Sequence, residues 1–333
     1  MAIKILAIES SCDDTAASVI VDGKIKSNVV ANQAIHNMYG GVVPEVASRA
    51  HQINIIPTID TALKKAEVDK KDLDAIAVVS GPGLMGSLIV GVTFAKTLAL
   101  TLDIPLIEIN HHQAHAMALF IDEPKPRFPL LAMTVSGGHT QISIMRDYND
   151  IEVIGRTLDD AAGEAFDKTG KLLGLDYPAG PIIDRYSKKG SAIFEFPEPK
   201  VKDLDFSFSG LKTAILYFVQ KKKKENPDFV KENIYNICAS VQDRIVSILM
   251  NKLVKAAKMA GIREVAIAGG VSANSGLREA LVDKGKQLGW NTYIPKFEYC
   301  TDNAAMVAIT AHYKYLDKKF ADLSLTPKPR YSL

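Results

Sequence analysis

The sequence predicts an α/β chain built from two duplicated lobes, and three observations carry that expectation. The first is an internal repeat. Residues 6–18 align without gaps to residues 131–143, and Leu, Ala, Ser, Thr and Ser coincide at one constant offset (6/131, 7/132, 11/136, 15/140, 18/143). The second is that each copy reads as an apolar strand, a short polar turn and another alternating strand. The third is a set of glycine turns that follow apolar strands, at Ser136-Gly137-Gly138-His139-Thr140 and at Gly269-Gly270-Val271-Ser272-Ala273-Asn274. The same strand-turn-strand reading in both copies argues for a duplicated domain.

The other elements follow from local pattern. Ala75-Ile76-Ala77-Val78-Val79 reads as a buried strand, and Gly81-Pro82-Gly83-Leu84-Met85-Gly86 after it formally matches G-x-G-x-x-G. Glu108 even lies where a dinucleotide site would place its ribose-binding acid. Pro82 removes an N–H that would face a pyrophosphate, and the unit sits inside the first copy instead of opening its own sheet. The turn is therefore expected to feed a buried helix over 87–100. Ile104-Pro105-Leu106-Ile107 reads as a strand running into a histidine-rich helix, and Val265-Ala266-Ile267-Ala268 as a buried strand before the Gly269-Gly270 turn. The helical pattern Leu277-Arg278-Glu279-Ala280-Leu281 follows.

Bulk properties set limits. A chain of 333 residues is long enough for two domains with cores. Its 47% hydrophobic and 23% charged residues are those of a soluble globular protein. A net charge of +2 provides no global basic field, so any RNA contact must be local. Cys12, Cys238 and Cys300 are far apart with no C-x-x-C spacing, which favours a reducing compartment. The N-terminus is too short in apolar length for a signal peptide. Residues 84–102 are interrupted by Lys96 and closed by Asp103, so they read as a core helix rather than a membrane span. A cytoplasmic protein is expected.

The turns are where chemistry concentrates. Ser136-Gly137-Gly138-His139-Thr140 offers hydroxyls and closely approachable N–H groups that can wrap a phosphate or carboxylate. One copy alone is also an ordinary glycine hairpin; two copies favour nucleotide binding. At the third turn Asn274 can hydrogen-bond a sugar or ring near a helix N-terminus. Glycine turns in this order resemble the actin, sugar-kinase and Hsp70 superfamily, which implies ribonuclease-H-like lobes around a nucleotide cleft.

Three of the seven histidines fall within Asn110-His111-His112-Gln113-Ala114-His115. On a helix, His111 and His115 sit one turn apart on one face and can share a divalent metal, while His112 points elsewhere. In H-E-x-x-H the residue after the first histidine is the glutamate that activates water. Here it is His112, so a metal could bind without a protease's base. The bland alternative is a helix that happens to be histidine-rich.

A family resemblance spans essentially the whole chain. It rests on Ile8-Glu9-Ser10-Ser11-Cys12-Asp13-Asp14-Thr15, Gly40-Gly41-Val42-Val43-Pro44-Glu45 with Ala47-Ser48-Arg49, Gly81-Pro82-Gly83-Leu84, and His111-His112-Gln113-Ala114-His115. It continues through Val135-Ser136-Gly137-Gly138-His139-Thr140, Gly163-Glu164-Ala165-Phe166-Asp167-Lys168, and Tyr177-Pro178-Ala179-Gly180-Pro181. It ends with Phe206-Ser207-Phe208-Ser209-Gly210-Leu211-Lys212, the Gly269–Asn274 turn, and Cys300-Thr301-Asp302-Asn303-Ala304-Ala305-Met306. The chain resembles the bacterial-type tRNA N6-adenosine threonylcarbamoyltransferase family, formerly labelled a glycoprotease.

That resemblance implies roles which spacing alone does not. His111, His115 and Asp302 match the metal ligands, with iron favoured and zinc possible. Thr134, Val135, Ser136, Gly137 and Gly138 match the substrate loop, and Asp167, Gly180, Asp184 and Asn274 match adenylate contacts. No catalytic acid or base is implied. The implied reaction passes a threonylcarbamoyl group from threonylcarbamoyl-AMP to the exocyclic amine of the adenosine 3′ of the anticodon, in tRNAs reading codons that begin with A. Implied partners are tRNA, an inactive paralogue as heterodimer partner, and a small ATPase. The expected lobes are 1–108, with 303–333 packing back on it, and 109–302, carrying the metal site and the nucleotide turns. The alternatives are a metalloprotease, which lacks its glutamate, and a nucleotide-gated sugar-kinase-like phosphotransferase, for which Glu9-Ser10-Ser11-Cys12 replaces the usual aspartate-glycine turn.

Several residues carry a weaker case. Asp159 and Asp160 read as a solvated helical face, and Lys221-Lys222-Lys223-Lys224 as an exposed helix end with a possible role on the tRNA backbone. Arg49, Lys168, Lys171 and Lys212 lie within or beside motifs where they could meet RNA phosphate or a partner protein. Cys12 is expected to pack instead of attack, having no motif histidine beside it to activate it.

Overall fold

Lys4–Glu9 (β1) is buried along almost its whole length because it is covered on both faces. In the computed structural model, which describes residues 2–331, Leu6 and Ile8 join one apolar cluster while Ile5 and Ala7 alternate to the opposite face. Thr15–Val21 (β2) and Lys24–Ala31 (β3) continue from β1 as an antiparallel meander. Ala75–Gly81 (β4) and Leu106–Asn110 (β5) add on its other side in parallel, giving the order β3-β2-β1-β4-β5. Pro44–Ala66 (α1) buries Ala47, His51, Ile55, Ile59 and Ala62 at helical spacing. Met85–Leu102 (α2) packs against α1 and β4.

His111–Met117 (α3) begins at the residue after β5, and Ala304–Leu316 (the ninth helix, α9) packs against α3, β1 and β2. Met1–Lys125 and Pro295–Leu333 therefore form one compact unit, and Pro126–Ile294 forms the other. The boundaries differ from the expected 1–108 with 303–333 and 109–302. Since α3 runs directly out of β5 and packs on α9, His111, His115 and Asp302 all belong to the first unit.

The second unit repeats the first. Leu130–Val135 (β6), Thr140–Asp147 (β7) and Asp150–Arg156 (β8) form the meander, and Glu264–Ala268 (β9) and Asn291–Tyr293 (β10) extend it in parallel. Its order is β8-β7-β6-β9-β10. Duplication holds at the level of register: Ala7 pairs with Ser18 in the first unit, and Ala132 with Ser143 in the second. Ala162–Leu173 (α4), Gly180–Ser187 (α5), Ser209–Glu225 (α6), Phe229–Ala260 (α7) and Ser275–Leu288 (α8) complete this unit. Its core joins Leu131, Met133, Phe206, Phe208 and the buried face of α7.

The helix expected to be buried over 87–100 is only half so. Ser87, Leu88, Gly91, Val92, Ala95 and Ala99 of α2 are packed, whereas Met85, Ile89 and Leu100 are exposed. By length and composition α2 is the one helix among the described residues that could cross a membrane. One face is instead docked on the sheet.

Candidate metal centre and glycine-lined site

Three asparagine caps start the helices that matter here. The Asn110 side chain accepts from the amides of His112 and Gln113, Asn303 from Met306 and Asn274 from Leu277. Each satisfies an otherwise orphaned N–H and sets where its helix begins. The first cap puts His111 and His115 on the first turns of α3. The second puts Asp302 immediately before the cap of α9, and the packing of α3 on α9 brings the three together.

The donors converge. Asp302 Oδ1 lies 3.0 Å from His115 Nε2 and 3.5 Å from His111 Nε2. All three ligand atoms fall within 4.8 Å of one another. Two ligands of a tetrahedral ion, each about 2.1 Å from it, stand roughly 3.4 Å apart, so the donor set fits a metal ion. His112 lies outside the group, as its helical phase requires.

Charge is concentrated around this point. Burial opposes a charge on His111, but Asp302 and Glu9 outweigh it and raise the pKa to about 9. Asp302 is likewise resisted by burial, yet His111 and His115 hold its carboxyl well below the usual range. Asp14 is pushed up to about 7 by burial, then by Asp302 and Asp13. Burial, with Asp13 and Asp302, also keeps the Cys12 thiol protonated, so Cys12 is no thiolate nucleophile. A histidine outside the motifs is close by, but it meets the Cys12 backbone rather than the thiol. His51 is held between the Thr15 hydroxyl at 2.7 Å and the Cys12 carbonyl at 3.0 Å, which ties α1 to this turn.

In the second unit the Ser136–His139 turn is closed by an amide-to-carbonyl bond of 2.8 Å from Ser136 to His139. A Cβ at Gly137 or Gly138 would meet nothing within 4 Å, so the turn borders open space. Two other glycines frame it by close approach. A Cβ on Gly163 would lie 2.5 Å from the Ser136 carbonyl, and one on Gly269 2.5 Å from that of Val135. Gly269 also has φ +84°, a conformation that favours glycine. Thr134 and Ser272, both buried, have hydroxyls without a hydrogen-bond partner in the protein.

The chain matches the family model described as tRNA N6-adenosine threonylcarbamoyltransferase over residues 24–309. It is 62% identical over 333 residues to the protein of that name from Christiangramia forsetii, covering 99% of this chain and 98% of that one. To the namesake from Cytophaga hutchinsonii it is 55% identical over 331 residues, covering 99% and 96%. The chain belongs to the tRNA N6-adenosine threonylcarbamoyltransferase family. The crystal structure of T. kodakarensis HypF matches with a TM-score of 0.62 at 15% identity, over 97% of this chain and 49% of that one. The Acidaminococcus fermentans (R)-2-hydroxyglutaryl-CoA dehydratase component A matches at 0.54 and 16% identity, over 94% and 99%. These likenesses concern the fold alone, the duplicated one expected from the repeat.

Within this family member, the residues matched to adenylate contacts are also structural fasteners. Asp167 accepts from the amides of Ala179, at 2.8 Å, and Gly180. Its pKa is raised by burial, against the pull of those bonds. Asp184 accepts from the Ser275 hydroxyl at 2.6 Å and from its amide. Asn274 donates to Gln242 at 2.7 Å, and Gln242 to Ser187 at 2.9 Å. Ser187, Gln242 and Ser275 line an open recess of about 460 Å³ in this unit. Gln242 was missed in the sequence because a lone glutamine inside a long helix carries no motif.

Asp159 refines an expectation. It is exposed as expected, yet it accepts from the Ser207 and Ser209 hydroxyls and from the amides of Phe208 and Ser209, so it also organises the start of α6. Burial would raise its pKa, but these bonds outweigh that and lower it. Asp160 pairs with Lys168, which also bonds Glu164 at 2.8 Å, so Lys168 is engaged within its own helix region. Arg49 pairs with Glu45 at 2.7 Å.

Proposed function

We propose that this chain transfers a threonylcarbamoyl group from threonylcarbamoyl-AMP to the N6 amine of the adenosine 3′ of the anticodon, in tRNAs reading codons that begin with A. In that step the amine nitrogen attacks the carbamoyl carbon and the bond from that carbon to the phosphate oxygen breaks. AMP departs with the electron pair, and the amine gives up one proton. The observation that carries the reading is the His111, His115 and Asp302 group inside a chain 62% identical to a named transferase.

His111, His115 and Asp302 would hold one divalent ion, iron favoured and zinc possible, since two imidazoles and a carboxylate suit a borderline cation and leave positions open. When bound, such an ion supplies Lewis-acid polarisation of the threonylcarbamoyl group. The backbone amides of 136–138 would cradle substrate oxygens, with Thr134 and Val135 setting the loop's height at the end of β6. Asp167 and Gly180 would shape the adenylate site, and Asp184 and Asn274 would face the nucleoside. An exocyclic amine is a weak nucleophile, so positioning supplies much of the rate.

An inactive paralogue as heterodimer partner and a small ATPase complete this reading. Support for a protein partner comes from α1 and α2, which pack together and leave Ile53, Ile56, Met85 and Ile89 exposed. The test is reconstitution with threonylcarbamoyl-AMP, tRNA and those partners, reading modified nucleoside and AMP. Modification that disappears when the target adenosine is replaced by guanosine is the expected result. AMP release with unmodified tRNA would make water the acceptor and overturn the assignment.

A further inference from the structure

Glu9 is the last residue of β1, a carboxylate with no solvent exposure, and it lies outside the three-donor group. A buried carboxylate persists when donors satisfy it. Both of its oxygens are engaged. Oε1 accepts from the Ser11 amide, and Oε2 stands 3.1 Å from His111 Nδ1. The Ser11 hydroxyl is also 3.1 Å from that nitrogen. The opposite ring nitrogen, Nε2, is the one turned toward Asp302 at 3.5 Å. His115 has no such support, because its Nδ1 is buried without a partner.

We infer that Glu9 is a positioning residue that holds the proton on His111 Nδ1 and so keeps the Nε2 lone pair aimed at the metal position. The inference rests on the metal reading above. Two donors, the Ser11 N–H and the His111 Nδ1–H, converge on one side chain, and only a carboxylate offers both an acceptor oxygen. A glutamine of equal size has one acceptor oxygen. Whichever way its amide is turned, one N–H is left facing the NH₂ group. The relief available is to place the His111 proton on Nε2, which removes the lone pair a metal needs. A purely space-filling Glu9 would tolerate glutamine; this one does not.

The test uses the full chain and zinc as probe, with affinity read by competition against a chelator and folding by circular dichroism of the metal-free protein. Glu9→Gln is expected to stay folded and to bind zinc roughly 10–100-fold more weakly, the usual size for loss of a group supporting a metal ligand. In zinc-loaded wild type, ¹⁵N NMR of His111 should show a protonated Nδ1 and a metallated Nε2, a signature that does not depend on any variant folding. Wild type that fails to bind zinc, or His115→Ala that binds it fully, would overturn the metal reading itself. Zinc binding lost in His115→Ala but unchanged in Glu9→Gln would overturn the inference alone, as would zinc on Nδ1 of His111.

Discussion

The turn after β1 and the turn after β6 occupy equivalent places in the two units, yet they present opposite surfaces. In the first, Glu9, Ser10 and Ser11 are buried. The Leu84 amide bonds the Ser11 carbonyl at 2.7 Å, and a Cβ on Gly91 would meet the Ser10 hydroxyl at 2.2 Å. In the second unit the counterparts of Glu9 and Ser10, Thr134 and Val135, are buried too, and the contrast comes one step on, where Gly137 and Gly138 replace the half-buried Cys12 and Asp13 and border open space. One hairpin has been filled with polar side chains that support a histidine. Its twin has been emptied so that backbone amides stay accessible. Duplication conserved the scaffold, and divergence at a few turn positions separated a donor cluster from an anion-cradling loop.

The comparison can be broken most forcefully at the donor cluster. Asp302→Ala or His115→Ala should abolish stoichiometric metal and reduce transfer by orders of magnitude while the protein stays folded. His112→Ala should keep more metal than either. Elemental analysis with an activity assay checks this, and full metal in all variants would dissolve the proposed ligand set.

Next come the glycines, which the two roles separate. Gly269→Ala introduces a Cβ against the Val135 carbonyl at a positive φ, so a loss of roughly 1–3 kcal/mol or more is expected by denaturant unfolding. Gly137→Val has room and should leave stability nearly unchanged, yet it should weaken nucleotide binding by filling space that a phosphate enters. Unchanged affinity by calorimetry would show that the open turn is no ligand site.

Asn274→Ala should have a smaller, dual effect. It removes the α8 cap and the bond to Gln242, for about 1 kcal/mol of stability, and weakens adenine-nucleotide binding by about 1 kcal/mol. The smallest effect is expected at Asp159. Its lowered folded pKa means its stabilisation is complete above the unfolded carboxylate's pKa and is lost as pH falls through the lower folded value. Asp159→Ala should cost about 1 kcal/mol near neutral pH and flatten the acid limb of the stability curve. An unaltered acid limb would mean the four bonds it accepts contribute nothing net.

Much of this molecule was legible in order along the chain. The repeat announced duplicated hairpins because strand alternation and turn residues are local properties, and the register was conserved with them. The i, i+4 histidines were readable because helical phase follows from spacing. Asp302 was reached only through resemblance, since no local pattern links it to α3. The compact units differ from the expected lobes for the same reason: nothing within 109–125 states that α3 packs on α9. The fastening role of exposed Asp159 was not legible because its partners lie about fifty residues away, at Ser207 to Ser209.

The sequence by itself determined the strands, the glycine turns and the spacing of the histidines, all set by interactions within a few residues. Tertiary structure alone decided that Asp302 meets His111 and His115, that Glu9 stands behind His111, and that Gln242 links Asn274 to Ser187. Those partners come from distant segments, and their meeting depends on packing of whole helices and sheets, which no local periodicity encodes.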